Sequence, residues 1–322
     1  ALTMSGVSLL FAAIGGMGGA FDSAYITLIP NRIFGILVNQ NLFAVPLFVF
    51  MGSMLEKSKI AESLLKNMEL LFRGLPGGLG LAVILVGMLL AASTGIVGAT
   101  VVTLGVLALP TMLSSGYRPA LACGTLCATG TLGQIIPPSI CLVLLGEVIS
   151  NAYQQSQLDA GIFAPSFVSI GDLFAGALIP GLLLVMGYGL YVSTVAILRP
   201  HDAPSSRELS IKLDKRELLI GILKGLLPPV SLVLAVLGSI LKGIATPTEA
   251  AGCGAMGALL LSLAYKKLTL PKLQDALVKT LEITALIMVL VAASNFFGAV
   301  FARLGTPTLL TEFLLGLSLI HI

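Results

Sequence analysis

The chain has 322 residues, of which 57% are hydrophobic and only 10% are charged, and its mean hydropathy is +1.03. A soluble domain with so little charge could not cover its surface, and the net charge of +3 forms no basic patch of the kind that nucleic-acid-binding proteins carry. Apolar runs of about 20 residues recur without alternating in polarity, which predicts an all-α membrane protein, a polytopic helical bundle.

The breaks between these runs divide the chain into predicted elements. The first part contains a span at 3–20, a span at 33–55, a charged amphipathic stretch at 56–74, an interrupted run at 80–113, a span at 118–150, a polar loop at 150–161 and a span at 170–198. After the hydrophilic stretch 199–217 come spans at 218–241 and 246–265, an amphipathic stretch at 267–279, a span at 280–302 and an apolar tail. Thr246, Pro247 and Glu249 have the spacing of a capping box, which favours a helix cap over an intramembrane carboxylate.

The distribution of Lys and Arg predicts the topology. If 199–217 is cytoplasmic and 80–113 enters and leaves on one side, all but three of the 18 Lys and Arg residues lie inside. The three exceptions are Arg32, Lys242 and Arg303. If 80–113 crossed the membrane once, the charges of 56–75 would move outside. The count therefore predicts a re-entrant hairpin, a cytoplasmic Arg118 and a periplasmic segment 150–170.

Two interruptions fall inside the apolar runs, "STGIVGAT" at 93–100 and "GTLGQIIPPSI" at 130–140. Pro137 and Pro138 cannot donate backbone hydrogen bonds, which predicts unpaired carbonyls near 133 and 134 and a new half-helix starting at Pro138 or Ser139. At membrane depth such backbone survives only where protein buries it or where it lines a wet cavity.

A proline kink that only shapes the bundle is the simpler alternative. Two facing interruptions with glycines and neutral oxygens instead favour a site for a small cation and an anion, and the lack of acidic residues there favours Na⁺ over a proton relay. Na⁺ is assigned to Ser93, Thr94, Gly130 and Thr131. The full set of predicted ion- and substrate-binding residues is Ser93, Thr94, Gly95, Gly98, Thr129, Gly130, Thr131, Gly133, Gln134, Pro137, Pro138 and Ser139.

The motifs resemble those of a known family. "AVPLFVFMGSMLEKSKI", "LPGGLG", "STGIVGAT", "SSGYRPALACGTLCATGTLGQIIPPSI" and "GIATPTEAAG" follow one another as in the large membrane subunit (permease, M or DctM type) of tripartite ATP-independent periplasmic (TRAP) transporters. The resemblance covers almost the whole chain. It implies an inverted-repeat, elevator-type secondary transporter of organic acids in the bacterial inner membrane. It also implies Na⁺ as coupling ion, no other cofactor, no enzymatic activity, and two partners, a small membrane subunit and a periplasmic substrate-binding protein.

The resemblance also implies a domain organisation. Residues 1–198 form a first repeat, with scaffold helices at 1–75, a re-entrant hairpin and broken helix at 76–150 and a closing helix at 170–198. Residues 199–217 form a cytoplasmic loop, and 218–322 an incomplete second repeat, so we expect the C-terminal part to be missing. The hairpin tip reads Thr94-Gly95-Ile96 here, whereas the resembled family usually has Ser-Gly-Ser, so one expected hydroxyl is absent.

Other classes fit the sequence less well. An intramembrane enzyme would need paired Asp residues, a Ser with a His, or a metal-binding His pair at membrane depth, and the chain shows none of these patterns. A scaffold subunit would not need facing helix breaks. A single-component Na⁺/carboxylate symporter of related elevator fold remains the alternative within transport, and the substrate itself cannot be named from this chain.

Overall fold

A computed structural model describes residues 2–17, 29–58, 60–72, 74–95, 97–204 and 215–316, and the regular structure within these ranges is helical. The α-helices are α1 (Leu2–Met17), α2 (Ile29–Leu37), α3 (Ala44–Lys57), α4 (Ile60–Phe72), α5 (Gly78–Thr94), α6 (Val97–Ser114), α7 (Pro119–Thr131), α8 (Ile140–Asp159), α9 (Ile170–Leu198), α10 (Lys215–Leu241), α11 (Pro247–Ala264), α12 (Leu270–Arg303) and α13 (Thr306–Gly316). Among them, α6, α9 and α12 are long and apolar enough to cross a membrane. The prediction of an all-α membrane protein is confirmed.

The chain divides into two compact units. The first contains residues 1–40 and 281–322. In it, Ala12 of α1 and Val300 of α12 are buried together, and Phe296 and Leu304 pack against them. The C-terminal part of α12 therefore provides the surface on which α1 lies.

The second unit, residues 41–280, is built around α5. This helix is apolar on all sides, as expected for a helix that other elements surround. Its buried side chains form one cluster with residues of the 130–140 segment, α9 and α10. The members are Ile84, Ala91, Ala92, Leu132, Ile136, Val185, Val192 and Val233. Both predicted interruptions therefore adjoin the core of this unit. The organisation into a first repeat at 1–198 and an incomplete second repeat at 218–322 stays a prediction.

The capping box at the start of α11 is confirmed. The Thr246 hydroxyl accepts a hydrogen bond from the backbone N–H of Glu249 at 3.3 Å, and the Thr246 N–H donates to Glu249 Oε2 at 2.8 Å. Two donors of the helix end that would otherwise lack partners are satisfied in this way. Glu249 thus caps a helix, as its spacing from Thr246 predicted.

The predicted continuous span 33–55 is wrong. The structure has α2 up to Leu37, a short 3₁₀-helix at Gln40–Phe43, and α3 from Ala44. Two properties of the sequence explain the break. The consecutive amides Asn39, Gln40 and Asn41 favour turns, and Pro46 is tolerated in the first turn of a helix but not in its interior.

Two other predicted boundaries are also wrong. The polar loop predicted at 150–161 is helical as far as Asp159, because Asn151 and Gln154 donate hydrogen bonds to Glu147 and Ser150, each one turn earlier. The amphipathic stretch 267–279 and the span 280–302 form the single helix α12. Between Lys272 and Phe297 the sequence has no Gly or Pro that could separate them.

The predicted topology can be tested across α9, whose 29 residues separate Ser156 from His201. In a variant whose native cysteines have been replaced, we expect Ser156→Cys to react with a membrane-impermeant maleimide added to intact cells. His201→Cys should react only after the membrane is permeabilised, because the Lys and Arg distribution places this end of α9 inside. Labelling of His201→Cys in intact cells would contradict the predicted orientation.

Candidate functional site

The first interruption is the tip of a helical hairpin. The backbone N–H of Gly80, in the first turn of α5, donates a hydrogen bond to the Tyr117 hydroxyl, just beyond the end of α6, at 3.1 Å. The start of α5 and the end of α6 are therefore neighbours, and the two helices run in opposite directions. Burial raises the pKa of the Tyr117 hydroxyl above its ordinary value.

Tyr117→Phe is expected to destabilise the hairpin by about 1 to 3 kcal/mol, the cost of leaving a buried N–H group without its acceptor. The measurement is the midpoint of thermal unfolding of the purified protein in detergent. Tyr191→Phe is the matched control, since it removes the same atom from an exposed side chain of α9. An equal effect of the two substitutions would show that the Gly80 contact contributes nothing.

The hairpin turns at Gly95, which has φ of +60° and donates its N–H to the Ala91 carbonyl at 3.0 Å. Glycine suits this left-handed position because it has no Cβ to clash. Ser93 and Thr94 are the last residues of α5, and their side chains lie outside the described part of the structure. Gly98 is already inside α6 with open space beside it, so the turn is shorter than the predicted interruption 93–100.

The second interruption separates α7 from α8. After Thr131 come a 3₁₀-helix at Leu132–Gln134 and a non-helical segment, in which Pro137 and Pro138 are buried. The predicted new half-helix is confirmed, since Ser139 is the N-cap of α8 and its hydroxyl accepts from the Leu142 N–H at 3.4 Å.

One predicted free carbonyl is not free. The Ser139 hydroxyl donates a hydrogen bond to the Gln134 carbonyl at 2.8 Å. A single side chain thus caps the new helix and satisfies an acceptor that the prolines would leave unpaired. The prediction of an unpaired carbonyl at 134 is therefore wrong, because the Ser139 hydroxyl donates a hydrogen bond to it.

The structure brings the two interruptions together. Gln134 Nε2 donates a hydrogen bond to the Gly95 carbonyl at 2.9 Å, which joins the broken helix to the hairpin tip. A Cβ atom on Gly95 would lie 3.3 Å from the side chain of Ile140, in the first turn of α8. The tip therefore contacts both sides of the break.

Glycines allow the hairpin to pack closely against α7. A Cβ on Gly133 would lie 3.1 Å from the Ala91 carbonyl oxygen, and a Cβ on Gly130 would overlap the side chain of Val101 in α6. Both glycines are buried. The predicted site residues Gly130, in α7, and Gly133, in the 3₁₀-helix that follows it, therefore form the contact surface with the two arms of the hairpin.

Thr129 has an unusual environment within this contact. Its side chain is 0% exposed, and its methyl group occupies the place that a Cβ on Gly87 would need. Its hydroxyl oxygen is buried and has no hydrogen-bond partner among the described residues. Because a buried polar atom without a partner costs free energy, the Thr129 hydroxyl is a candidate for contact with a ligand.

The hydroxyl of Thr131, a predicted Na⁺ ligand, donates to the Ala128 carbonyl at 2.7 Å, and its side chain is exposed. Its oxygen keeps lone pairs for a cation, but its proton is already used.

The sequence interpretation did not identify Gly87 as part of the site. Gly80 and Gly87 are seven residues apart and share a face of α5, a spacing of small residues that indicates close helix packing.

A polar contact outside the tip fixes the second arm of the hairpin. Thr103 in α6 donates a hydrogen bond to Glu56 Oε1 at 2.9 Å, and the Lys279 ammonium donates to Glu56 Oε2 at 2.8 Å. The side chain of Glu56 is only 18% exposed. This carboxylate therefore connects α6 to α3 and α12, and none of the three residues was predicted to have this role.

These features define the class of protein. Helices of membrane-spanning length, a helical hairpin and a proline-broken helix that meets the hairpin tip characterise secondary transporters, in which broken helices form the ion and substrate sites. A sequence model of the family described as "Tripartite ATP-independent periplasmic transporter, DctM component" matches residues 1–322. The chain belongs to this family.

Several curated relatives match most of this chain. The sialic acid TRAP transporter large permease protein SiaM of Vibrio cholerae is 30% identical over 323 residues, which cover 97% of this chain and 68% of SiaM. The C4-dicarboxylate TRAP transporter large permease protein DctM of Rhodobacter capsulatus is 28% identical over 298 residues, covering 91% and 65%. The ectoine/5-hydroxyectoine TRAP transporter large permease protein UehC of Ruegeria pomeroyi is 26% identical over 282 residues, covering 87% and 60%. The chain thus spans about two thirds of the length of these relatives.

Proposed function

We propose that this chain provides the large membrane-spanning subunit of a Na⁺-driven TRAP transporter that imports organic acids across the bacterial inner membrane. The observation that carries the proposal is the hydrogen bond between Gln134 and the Gly95 carbonyl, in a chain of the DctM family. It joins two interrupted helices, the arrangement in which transporters expose backbone groups to ions and substrates. In this proposal the hairpin is re-entrant and moves during an elevator-type transport cycle.

The coupling ion is proposed to be Na⁺, bound by neutral oxygens at this contact. The stretches 91–100 and 128–140 contain hydroxyls, an amide and backbone carbonyls but no carboxylate, and oxygen donors of this kind suit a hard cation. The buried hydroxyl of Thr129 without a partner supports this assignment. The predicted ligands Ser93, Thr94 and Gly130 remain part of the proposal, and Thr129 is added to them. The exposed Thr131 hydroxyl lies about 200° from Thr129 around α7, so it remains a separate candidate ligand.

The substrate class is proposed from the relatives and from the second half-helix. Three of the relatives are named for C4-dicarboxylates, sialic acid and ectoine, and each of these compounds carries a carboxylate. The N-terminus of α8 begins at the break, where the positive end of a helix dipole favours an anion. As in a tripartite system, the partners would be a small membrane subunit and a periplasmic substrate-binding protein.

The test is uptake into liposomes by the complete transporter that contains this chain, reconstituted with the small membrane subunit and binding protein of the same organism. We expect uptake of a labelled organic acid that the binding protein retains, and only with an inward Na⁺ gradient. Unchanged uptake with K⁺ in place of Na⁺ would refute Na⁺ coupling. Equal uptake without the binding protein would favour the single-component symporter.

A further inference from the structure

A groove lies between α7 and α9, at the end of these helices that the charge distribution places in the cytoplasm. It has a volume of about 530 Å³. Arg118, the N-cap of α7, and Arg199, the C-cap of α9, both line it. It involves neither the hairpin tip nor the 130–140 segment, so it is separate from the proposed ion site.

The turn after α9 holds the two arginines at one end of the groove. The backbone N–H of Arg118 donates a hydrogen bond to the backbone carbonyl of Asp202 at 3.0 Å. The backbone N–H of Asp202 donates to the backbone carbonyl of Arg199 at 2.9 Å. The Asp202 carboxylate is 3.7 Å from the Arg118 guanidinium. Two arginines and one aspartate line this end of the groove, so it has a net positive charge, and the Arg118 side chain is 59% exposed and open to a ligand.

The rest of the groove is apolar. Leu121, Val195 and Leu198 line it. The hydroxyls of Thr125 and Thr194 donate to carbonyls of their own helices, at 2.8 and 2.7 Å, and so present little polarity. A Cβ on Gly124 would touch nothing within 4 Å, which leaves space between the walls. The apolar part runs over about two turns of α9, or about 10 Å.

The groove adjoins an apolar surface of a helix long enough to cross a membrane. On α9, Tyr191 is 62% and Leu198 is 74% exposed, and both line the groove. A ligand that fits must therefore combine an anionic group at the membrane surface with an apolar chain at membrane depth. A phosphate suits this end of the groove, since guanidiniums offer it several charge-assisted hydrogen bonds.

We propose that this groove binds an anionic glycerophospholipid of the cytoplasmic leaflet, with its phosphate at Arg118 and Arg199 and the upper part of one acyl chain between α7 and α9. Basic pockets between membrane helices on the cytoplasmic side are suited to such lipids. The lipid would hold the turn 199–202 against the start of α7. The proposal concerns binding and does not depend on which substrate is transported.

The test is lipid binding to the purified, delipidated transporter, measured by native mass spectrometry. We expect dioleoyl phosphatidylglycerol to bind at least tenfold more tightly than dioleoyl phosphatidylcholine, which has the same chains and no net charge. Arg199→Gln should weaken phosphatidylglycerol binding by about 10- to 100-fold, the loss of a charge-assisted hydrogen bond. Lys267→Gln, which removes an exposed charge predicted on the same side, should leave it unchanged.

A second variant separates a lipid from a small anion. Gly124→Leu fills the apolar part of the groove and leaves both arginines in place, so it should also weaken phosphatidylglycerol binding, while sn-glycerol 3-phosphate alone should bind poorly. Equal binding of the two lipids, or of wild type and Arg199→Gln, would overturn the proposal. Tight binding of sn-glycerol 3-phosphate that Gly124→Leu does not change would overturn it in favour of a small-anion site.

Discussion

Thr129→Val is expected to raise the Na⁺ concentration for half-maximal uptake by the complete transporter about 5- to 30-fold, the equivalent of losing one ligand contact of about 1 to 2 kcal/mol. Valine has the shape of threonine, so the packing against Gly87 stays. In Na⁺-free buffer the same substitution should increase heat stability, because it removes a buried hydroxyl that has no partner among the described residues. Uptake against Na⁺ and thermal unfolding measure the two effects.

Thr125→Val is the matched control, one turn earlier on α7. Its hydroxyl donates to the Leu121 carbonyl, so the substitution removes an existing hydrogen bond and should leave the Na⁺ dependence unchanged. Greater stability of Thr129→Val with an unchanged Na⁺ curve would mean that the hydroxyl is only an unsatisfied group. Lower stability in Na⁺-free buffer would show that it has a partner in the protein.

Gly130→Ala is expected to have the second large effect. Its Cβ would overlap the Val101 side chain and lie 3.2 Å from the Val101 backbone nitrogen, so the hairpin arm must move away from α7. Overpacking of this kind costs about 1 to 3 kcal/mol. Both the midpoint of thermal unfolding and Na⁺-driven uptake should fall, because the displaced arm carries the tip that contacts Gln134.

Two further variants test whether the overlap with Val101 causes the losses of stability and uptake in Gly130→Ala. Gly130→Ala combined with Val101→Ala should recover part of both losses, since it removes the overlapping methyl group. Gly124→Ala makes the same chemical change on the same helix at a position with open space, and it should leave unfolding and uptake unchanged or slightly improved. A failure of Val101→Ala to restore stability would show that the overlap is not the cause.

The location of the candidate site could be predicted from sequence, because its signals are local. Pro137 and Pro138 remove two backbone donors at the break, and Ser139 could be recognised as a cap from its place before an apolar run. The capping box of Thr246 and Glu249 is local in the same sense. These features depend on backbone donors and acceptors within a few residues.

The roles of the individual hydroxyls could not be predicted in this way. Thr129 and Thr131 are two residues apart on α7, so their side chains point about 200° apart. One of them must turn away from any partner that the other contacts, but only the position of α5 decides which. The structure places Gly87 beside Thr129 and leaves Thr131 exposed. For the same reason, the contacts of Tyr117 with Gly80 and of Glu56 with Lys279 are tertiary and have no local signal.

The contact between Gln134 and the Gly95 carbonyl joins an amide to a peptide group, and neither gains or loses a proton in the pH range in which proteins are folded. The stretches 91–100 and 128–140 contain no ionisable side chain at all. A cation that binds at this contact would therefore release no protons to the solution. Its binding heat, measured by calorimetry, should be the same in buffers with different ionisation enthalpies.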